Sequence, residues 1–291
     1  MIKPMYVDLQ VNGHAGIDFL TAKSEDEIRL AARSLFNHGV KAFLPTLITS
    51  DLEMSRTASE LISRVSKNTK DGEAKILGLH LEGPFISHEK CGVHPSHFIT
   101  LPTIRKAMEY LTLGDVKIVT MAPELPGALE VIRFFVDQGV VVSLGHSNAT
   151  PDQAHAGFDN GASTVTHLFN AMSKMPGLAS VAIEREDVML QIIADDIHVK
   201  RQDIALALRG NTKRFILTND CVAPAGLGDG IFNFGEMQIQ VTNGSARRID
   251  GTLAGGIGTL SQSLDILDSL GIDKSDSLAS VTTRPLAMLD L

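Results

Sequence analysis

Four residues of this chain have side chains suited to hydrolytic chemistry, and all four stand at matching places in its pattern. His80-Leu81-Glu82-Gly83-Pro84-Phe85 continues the apolar run Ala74–Leu79 and is stopped by Gly-Pro, so it reads as a buried strand ending in the Glu82 carboxylate. Val140–Gly145 runs into His146, Ser163–Thr166 into His167, and Arg214–Asn219 into Asp220. Imidazole and carboxylate are ligands that zinc or a similar divalent ion prefers, and a catalytic ion keeps one place open for water. Glu82, His146 and His167 supply that set. A single histidine at a strand end is more often hydrogen-bonded structure than a ligand, but three such groups at equivalent strand ends point to a metal. Asp220 is the natural general base, taking a proton from the attacking water and returning it to the leaving group. Its structural alternative is a helix N-cap ahead of Cys221-Val222-Ala223, which the helix-breaking Ala223-Pro224-Ala225-Gly226 weakens.

The remaining histidines carry less. His198 follows Ile193–Ile197 and reads either as a residue of the same mouth or as an exposed loop histidine. His94, in Cys91-Gly92-Val93-His94-Pro95, lies in the long loop after the third strand, on the face where such loops carry function. His80 points the same way as Glu82 and reads as a supporting or core residue. His14, His38, His88, His97 and His155 have no partner that the sequence names.

To bring those four groups together, the strands must be neighbours in one sheet. Strand-like runs occur at 5–11, 42–48, 76–81, 116–121, 140–144, 164–166, 190–194 and 215–218, short, apolar and β-branched as parallel strands buried on both faces should be. Amphipathic segments such as 25–37 and 129–138 alternate with them, each of these two followed by a glycine stop, Gly39 or Gly139. Strand and helix alternating eight times predict a closed (β/α)8 TIM-type barrel, an α/β fold, over a doubly wound open sheet. The whole chain, 1–291, reads as a single barrel domain with a small β-meander inserted at about 230–250, where Gly230–Phe234 and Met237–Thr242 alternate apolar with polar.

Composition narrows the function classes. At 291 residues, 44% hydrophobic and 21% charged, the chain suits one soluble barrel of the usual size, about 250 residues. A net charge of -8 argues against non-specific nucleic-acid binding. No stretch is apolar enough to span a bilayer, and the N-terminus enters the first strand with no leader profile, so no membrane partner is expected. Cys91 and Cys221 form no disulfide framework, and a reducing cytoplasm is the expected setting.

Taken together, Asp8–Gly13, His80–Phe85, Met121–Glu124, Gly145–Thr150, Thr166–Met172, Ala194–Val199, Asp220 with Ala223–Gly226, and Gly251–Gly255 resemble, in order over nearly the whole chain, the N-acetylglucosamine-6-phosphate deacetylase family of the amidohydrolase superfamily. The resemblance implies amide hydrolysis of a small amino-sugar substrate, with one divalent ion on Glu82, His146 and His167 and with Asp220 as base and then acid. Zinc is the first expectation for the ion, with iron or manganese as alternatives. One ion is expected because Gln10 and Asn12 stand where many amidohydrolase barrels carry an HxH pair. His94 is implied to polarise the acetyl carbonyl and His198 to contact the sugar. Gln10 and the backbone near Val93 are implied to lie beside the acetyl end, and Asn170 and Ala171 to hold the phosphate through backbone amides. The segment Ser173-Lys174-Met175-Pro176-Gly177 lacks an arginine that the family uses for phosphate, which leaves Lys174 as a point charge. The family's small β-sandwich domain is expected to be missing from this chain, and a homodimer is left open. Two other readings stand beside this one, a deacetylase of another N-acetyl sugar and a non-catalytic sugar-binding barrel.

Overall fold

In the computed structural model, which describes residues 6–291, eight parallel strands pair in chain order. They are β1 (Tyr6–Val11), β2 (Val40–Ile48), β3 (Leu79–Glu82), β4 (Val116–Met121), β5 (Val141–Leu144), β6 (Thr164–Val165), β7 (Met189–Ile192) and β8 (Phe215–Leu217). The ring is drawn shut where Val11 bridges Cys221, the Asn12 N–H donates to the Cys221 carbonyl at 2.7 Å, and the Thr218 hydroxyl donates to Asp8 Oδ1 at 2.7 Å. This is the expected TIM-type barrel. The run expected at 76–81 is split: Lys75–Ile76 pairs briefly with β2, and β3 starts only at Leu79. Gly78 causes the break, because its φ of +143° and an approach of 2.6 Å between a would-be Cβ and the Asp115 carbonyl admit no side chain. Met5, expected to open the first strand, lies outside the described residues.

The helices between the strands are α1 (Glu25–Asn37), α2 (Leu52–Ser66), α3 (Ile104–Leu111), α4 (Ala128–Asp137), α5 (Pro151–Asp159), α6 (Leu178–Glu184) and α7 (Arg201–Leu208). α1 shows how the sequence makes them. The Ser24 side chain caps the Glu27 N–H, three acidic residues fill the first turn, and Ile28, Ala31, Ala32 and Leu35 form one buried stripe. His38 and Gly39, at φ +88°, end it. The last three helices, α8 (Leu260–Ser269), α9 (Lys274–Ser280) and α10 (Thr283–Met288), follow the meander strands β9 (Gly230–Phe234), β10 (Met237–Thr242), β11 (Ser245–Arg248) and β12 (Leu253–Gly255). Asn243 and Gly244, both at positive φ, make the tight turn between β10 and β11. The meander returns to the barrel mouth where Gly256 bridges Cys221.

The barrel interior is layered. Toward the strand N-terminal ends, an apolar cluster of Val7, Leu9, Ala42, Leu44, Ile118 and Ile216 packs against Leu286 and Leu289 at the chain's end. One layer higher is a hydroxyl and imidazole chain. His80 Nδ1 meets Thr46 Oγ1 at 3.3 Å and its Nε2 meets Thr120 Oγ1 at 2.8 Å, while Thr166 Oγ1 links Thr120 and Ser143 at 2.7 and 2.6 Å. His80 is fully buried, and that burial lowers its pKa to about 4, so it is a neutral strut beneath the site. Among the described residues, no helix is long and apolar enough to cross a membrane.

Candidate metal and catalytic site

β3, β5 and β6 aim Glu82, His146 and His167 at one point. Glu82 Oε1 is 3.2 Å from His146 Nε2 and 3.0 Å from His167 Nε2, and the two ring nitrogens are 3.1 Å apart. Their hydrogen-bond roles show what such a cluster needs. The Lys90 carbonyl can only accept, so the 2.8 Å contact at His146 Nδ1 makes that nitrogen the donor. In the neutral ring the Nε2 lone pair then faces a carboxylate oxygen, which also only accepts. A positive centre resolves that conflict, and tetrahedral zinc places its donor atoms about 3.3 Å apart, close to the spacing here. The three residues thus fit one divalent ion, as the strand ends led one to expect; among the described residues they are also the one set of three such groups able to do so. Burial works against the Glu82 carboxylate, but the neighbouring imidazoles of His146, His167 and His94 outweigh it and hold its pKa well below the usual range.

The expected base faces this cluster from β8. Asp220 opens partly on the cavity, and Asn12 Nδ2 donates to its Oδ1 at 2.6 Å. Desolvation, with the like charge of Glu82, raises the Asp220 pKa well above the ordinary carboxylate value. Gln10, two residues before Asn12, donates from Nε2 to Glu82 Oε1 at 2.9 Å. The two amides standing in place of an HxH pair therefore each hold a carboxylate. Gln10 is fully buried and does not line the cavity, so its contact is with Glu82. His146, His167 and Asp220 all have positive φ, at 46°, 32° and 48°. Such conformations cost non-glycine residues roughly 1–3 kcal/mol each and persist where the surroundings over-determine them.

Around this floor is a cavity of about 330 Å³. His94 is 3% exposed, with Nε2 3.7 Å from Glu82 Oε2. The Thr49 backbone N–H donates to its Nδ1 at 3.3 Å, so the neutral ring carries its proton on Nε2, toward the cavity. Burial and the neighbouring His146 lower the His94 pKa to about 4. His198 also lines the cavity, and its Nδ1 sits 2.6 Å from Asp195 Oδ2, which leaves Nε2 to face inward. The structure places His198 at the cavity mouth, partly buried. The Val93 N–H has no partner among the described residues, and Val93 lies in the wall. Asn170 and Ala171 lie there too, with one correction. The Asn170 N–H is taken by the His167 carbonyl at 2.9 Å, so the free backbone donor of the pair is Ala171. Lys174 is exposed and does not line the cavity.

Three contributors escaped the sequence reading. Asn12 holds the base, Asp195 orients His198, and Thr49 fixes the His94 tautomer. Asn12 and Asp195 had a local trace, the first through its two-residue spacing from Gln10, the second through the Asp-x-x-His spacing of a side-chain turn. Thr49, just past the end of β2, had none.

No family model matches the chain. Curated relatives do. It is 35% identical to the N-acetylglucosamine-6-phosphate deacetylase of Bos taurus, over all of this chain and 75% of that protein. It is 29% identical to the N-acetylgalactosamine-6-phosphate deacetylase of Escherichia coli O157:H7, over 99% of this chain and 78% of the relative. Among solved structures, a mutant N-acetyl-D-glucosamine-6-phosphate deacetylase of Mycobacterium smegmatis, in complex with N-acetyl-D-glucosamine-6-phosphate, superposes with a TM-score of 0.91 at 31% identity, covering 99% of this chain and 77% of that one. This chain belongs to the N-acetylglucosamine-6-phosphate deacetylase family of the amidohydrolase superfamily.

Proposed function

We propose that this chain hydrolyses the amide of N-acetyl-D-glucosamine 6-phosphate, giving glucosamine 6-phosphate and acetate. The observation that carries the reading is the convergence of Glu82, His146 and His167 opposite Asp220, in a chain of this family. A bound divalent ion, zinc before iron or manganese, supplies Lewis acidity to the acetyl carbonyl and acidifies the attacking water. The chain's own groups do the rest. The His94 Nε2–H donates toward the carbonyl oxygen as negative charge grows there. Asp220 takes the proton from water as oxygen attacks the carbonyl carbon, then delivers it to the nitrogen as the C–N bond breaks. A carboxylate at this place can hold the proton between those two events. Asn12 keeps one carboxylate oxygen engaged and aims the other.

The remaining wall residues orient the substrate. His198, held by Asp195, offers Nε2 to a sugar hydroxyl. The Val93 N–H serves the acetyl end, where Gln10 acts through Glu82. The Ala171 N–H, beside Asn170, serves the phosphate, and exposed Lys174 adds only a diffuse attraction. Free Cys91 and Cys221 support a reducing cytoplasm as the setting. N-acetylgalactosamine 6-phosphate is the second reading, supported by the relative named for that sugar.

Acetate release from both hexosamine 6-phosphates and from plain N-acetylglucosamine tests the proposal. The highest kcat/KM is expected for N-acetylglucosamine 6-phosphate. A higher value for the galactose epimer promotes the second reading. Equal values for the phosphorylated and plain glucose sugars overturn the phosphate part, and no acetate from any of them overturns the hydrolase.

A further inference from the structure

We infer that Lys90 is the side chain that recognises the phosphate of the substrate. The inference rests on the reading above, that the substrate is a hexosamine 6-phosphate. Among the described residues lining the catalytic cavity, Lys90 is the one lysine or arginine. Its ammonium makes no hydrogen bond or ion pair with any described residue, and what sets it apart from the other unpaired lysines is its place in the cavity wall. An unpaired cation in the wall of a cavity is available to an anionic ligand.

The backbone fixes where that cation starts. The Lys90 carbonyl accepts from His146 Nδ1 at 2.8 Å, its N–H donates to the Ser87 carbonyl at 3.1 Å, and the Ser87 N–H donates to the His146 carbonyl at 2.8 Å. The segment before Lys90 is thus tied to a residue of the metal cluster at both main-chain ends, and the ammonium stands within one flexible stem of the floor. Glu89 is the opposing charge in the same wall. Asn148 Nδ2 engages its Oε2 at 2.6 Å, which draws the carboxylate to the α5 side of the mouth. Within the cavity the Ala171 N–H offers one uncharged donor to the phosphate, and Lys90 adds the charge. Because the His146 contact is made by the main chain, a Lys90 variant removes the ammonium and leaves that contact in place.

The test compares wild type, Lys90→Gln and Lys90→Arg, with Lys174→Ala as an exposed reference. The readouts are kcat and KM on N-acetylglucosamine 6-phosphate and on N-acetylglucosamine, the affinity for glucosamine 6-phosphate by calorimetry, and metal per chain. Lys90→Gln is expected to lower the ratio of kcat/KM between the phosphorylated and plain sugars by about 10- to 100-fold, the effect of losing a charged hydrogen bond. The loss should fall on KM, glucosamine 6-phosphate should bind correspondingly more weakly, and Lys90→Arg should recover most of the ratio. Lys174→Ala should change it by less than Lys90→Gln does. An unchanged ratio in Lys90→Gln, or a drop in metal content that accounts for the loss, overturns the role of Lys90 while the proposed substrate stands. A wild-type protein with no preference for the phosphorylated sugar overturns the substrate reading, and the inference with it.

Discussion

Glu82, His146 and His167, on the cavity floor, are at most 5% exposed, whereas Glu89 on the rim is exposed and Lys90 and Thr252 are partly so. The floor residues come from the ends of three strands of one barrel sheet, and each is met by named partners: Gln10 and the two imidazoles for Glu82, the Lys90 carbonyl for His146, and Glu82 for His167. The rim comes from Glu89, Lys90 and Gly92 of the loop after β3 and from Thr252 and Leu253 at the start of β12, all at least partly exposed. The contrast divides the labour. Bond breaking needs groups held to a fraction of an ångström, and only packed strands hold them so. Discrimination among sugars needs reach and charge, which loops supply.

The comparison breaks first at the floor. His146→Ala and His167→Ala should each lose the bound divalent ion and lower kcat/KM for acetate release by several orders of magnitude, while remaining folded. Metal analysis with circular dichroism checks both at once. A variant that keeps native metal content and turnover removes that histidine from the ligand set.

A smaller effect probes the buried layer beneath the floor. Asp8, fully buried between β1 and β8, has its pKa raised by burial from 3.8 to about 6, against the hydrogen bonds from Thr218, Gln10 and Asn219. The native state therefore keeps this proton in a window where the unfolded chain has released it. Stability from Asp8 is present below pH 3.8, falls as pH rises from about 4 to about 6, and is level above that. A shift of about two units corresponds to about 3 kcal/mol. The stability difference between wild type and Asp8→Asn, followed by denaturant unfolding, should shrink across that window. A difference independent of pH would place Asp8 in a wetter environment.

The floor was largely legible in the sequence and the rim was not, for a physical reason. A strand end is marked locally by an apolar run and a Gly or Pro stop, so the eight-strand barrel and the set Glu82, His146, His167 and Asp220 could be read off short segments. Tautomers and strain are non-local. Thr49 fixes His94 across 45 residues, and nothing near His167 announces a φ of 32°. Hydrogen-bond competition was equally hidden. The resemblance implies a backbone phosphate donor at Asn170, but the His167 carbonyl takes that N–H. The exposed place of Lys174 and the cavity place of Lys90 depend on how two loops fold back, and both lysines lie in stretches without periodicity.

Asp220→Asn tests the central claim most directly, because it changes the chemistry of the floor and little of its shape. Metal content and the affinity for glucosamine 6-phosphate should stay near wild type, while kcat for acetate release falls by about 10²–10⁴-fold, the worth of a well-placed general base. A kcat within a few-fold of wild type, measured on a variant with full metal content, would contradict the account.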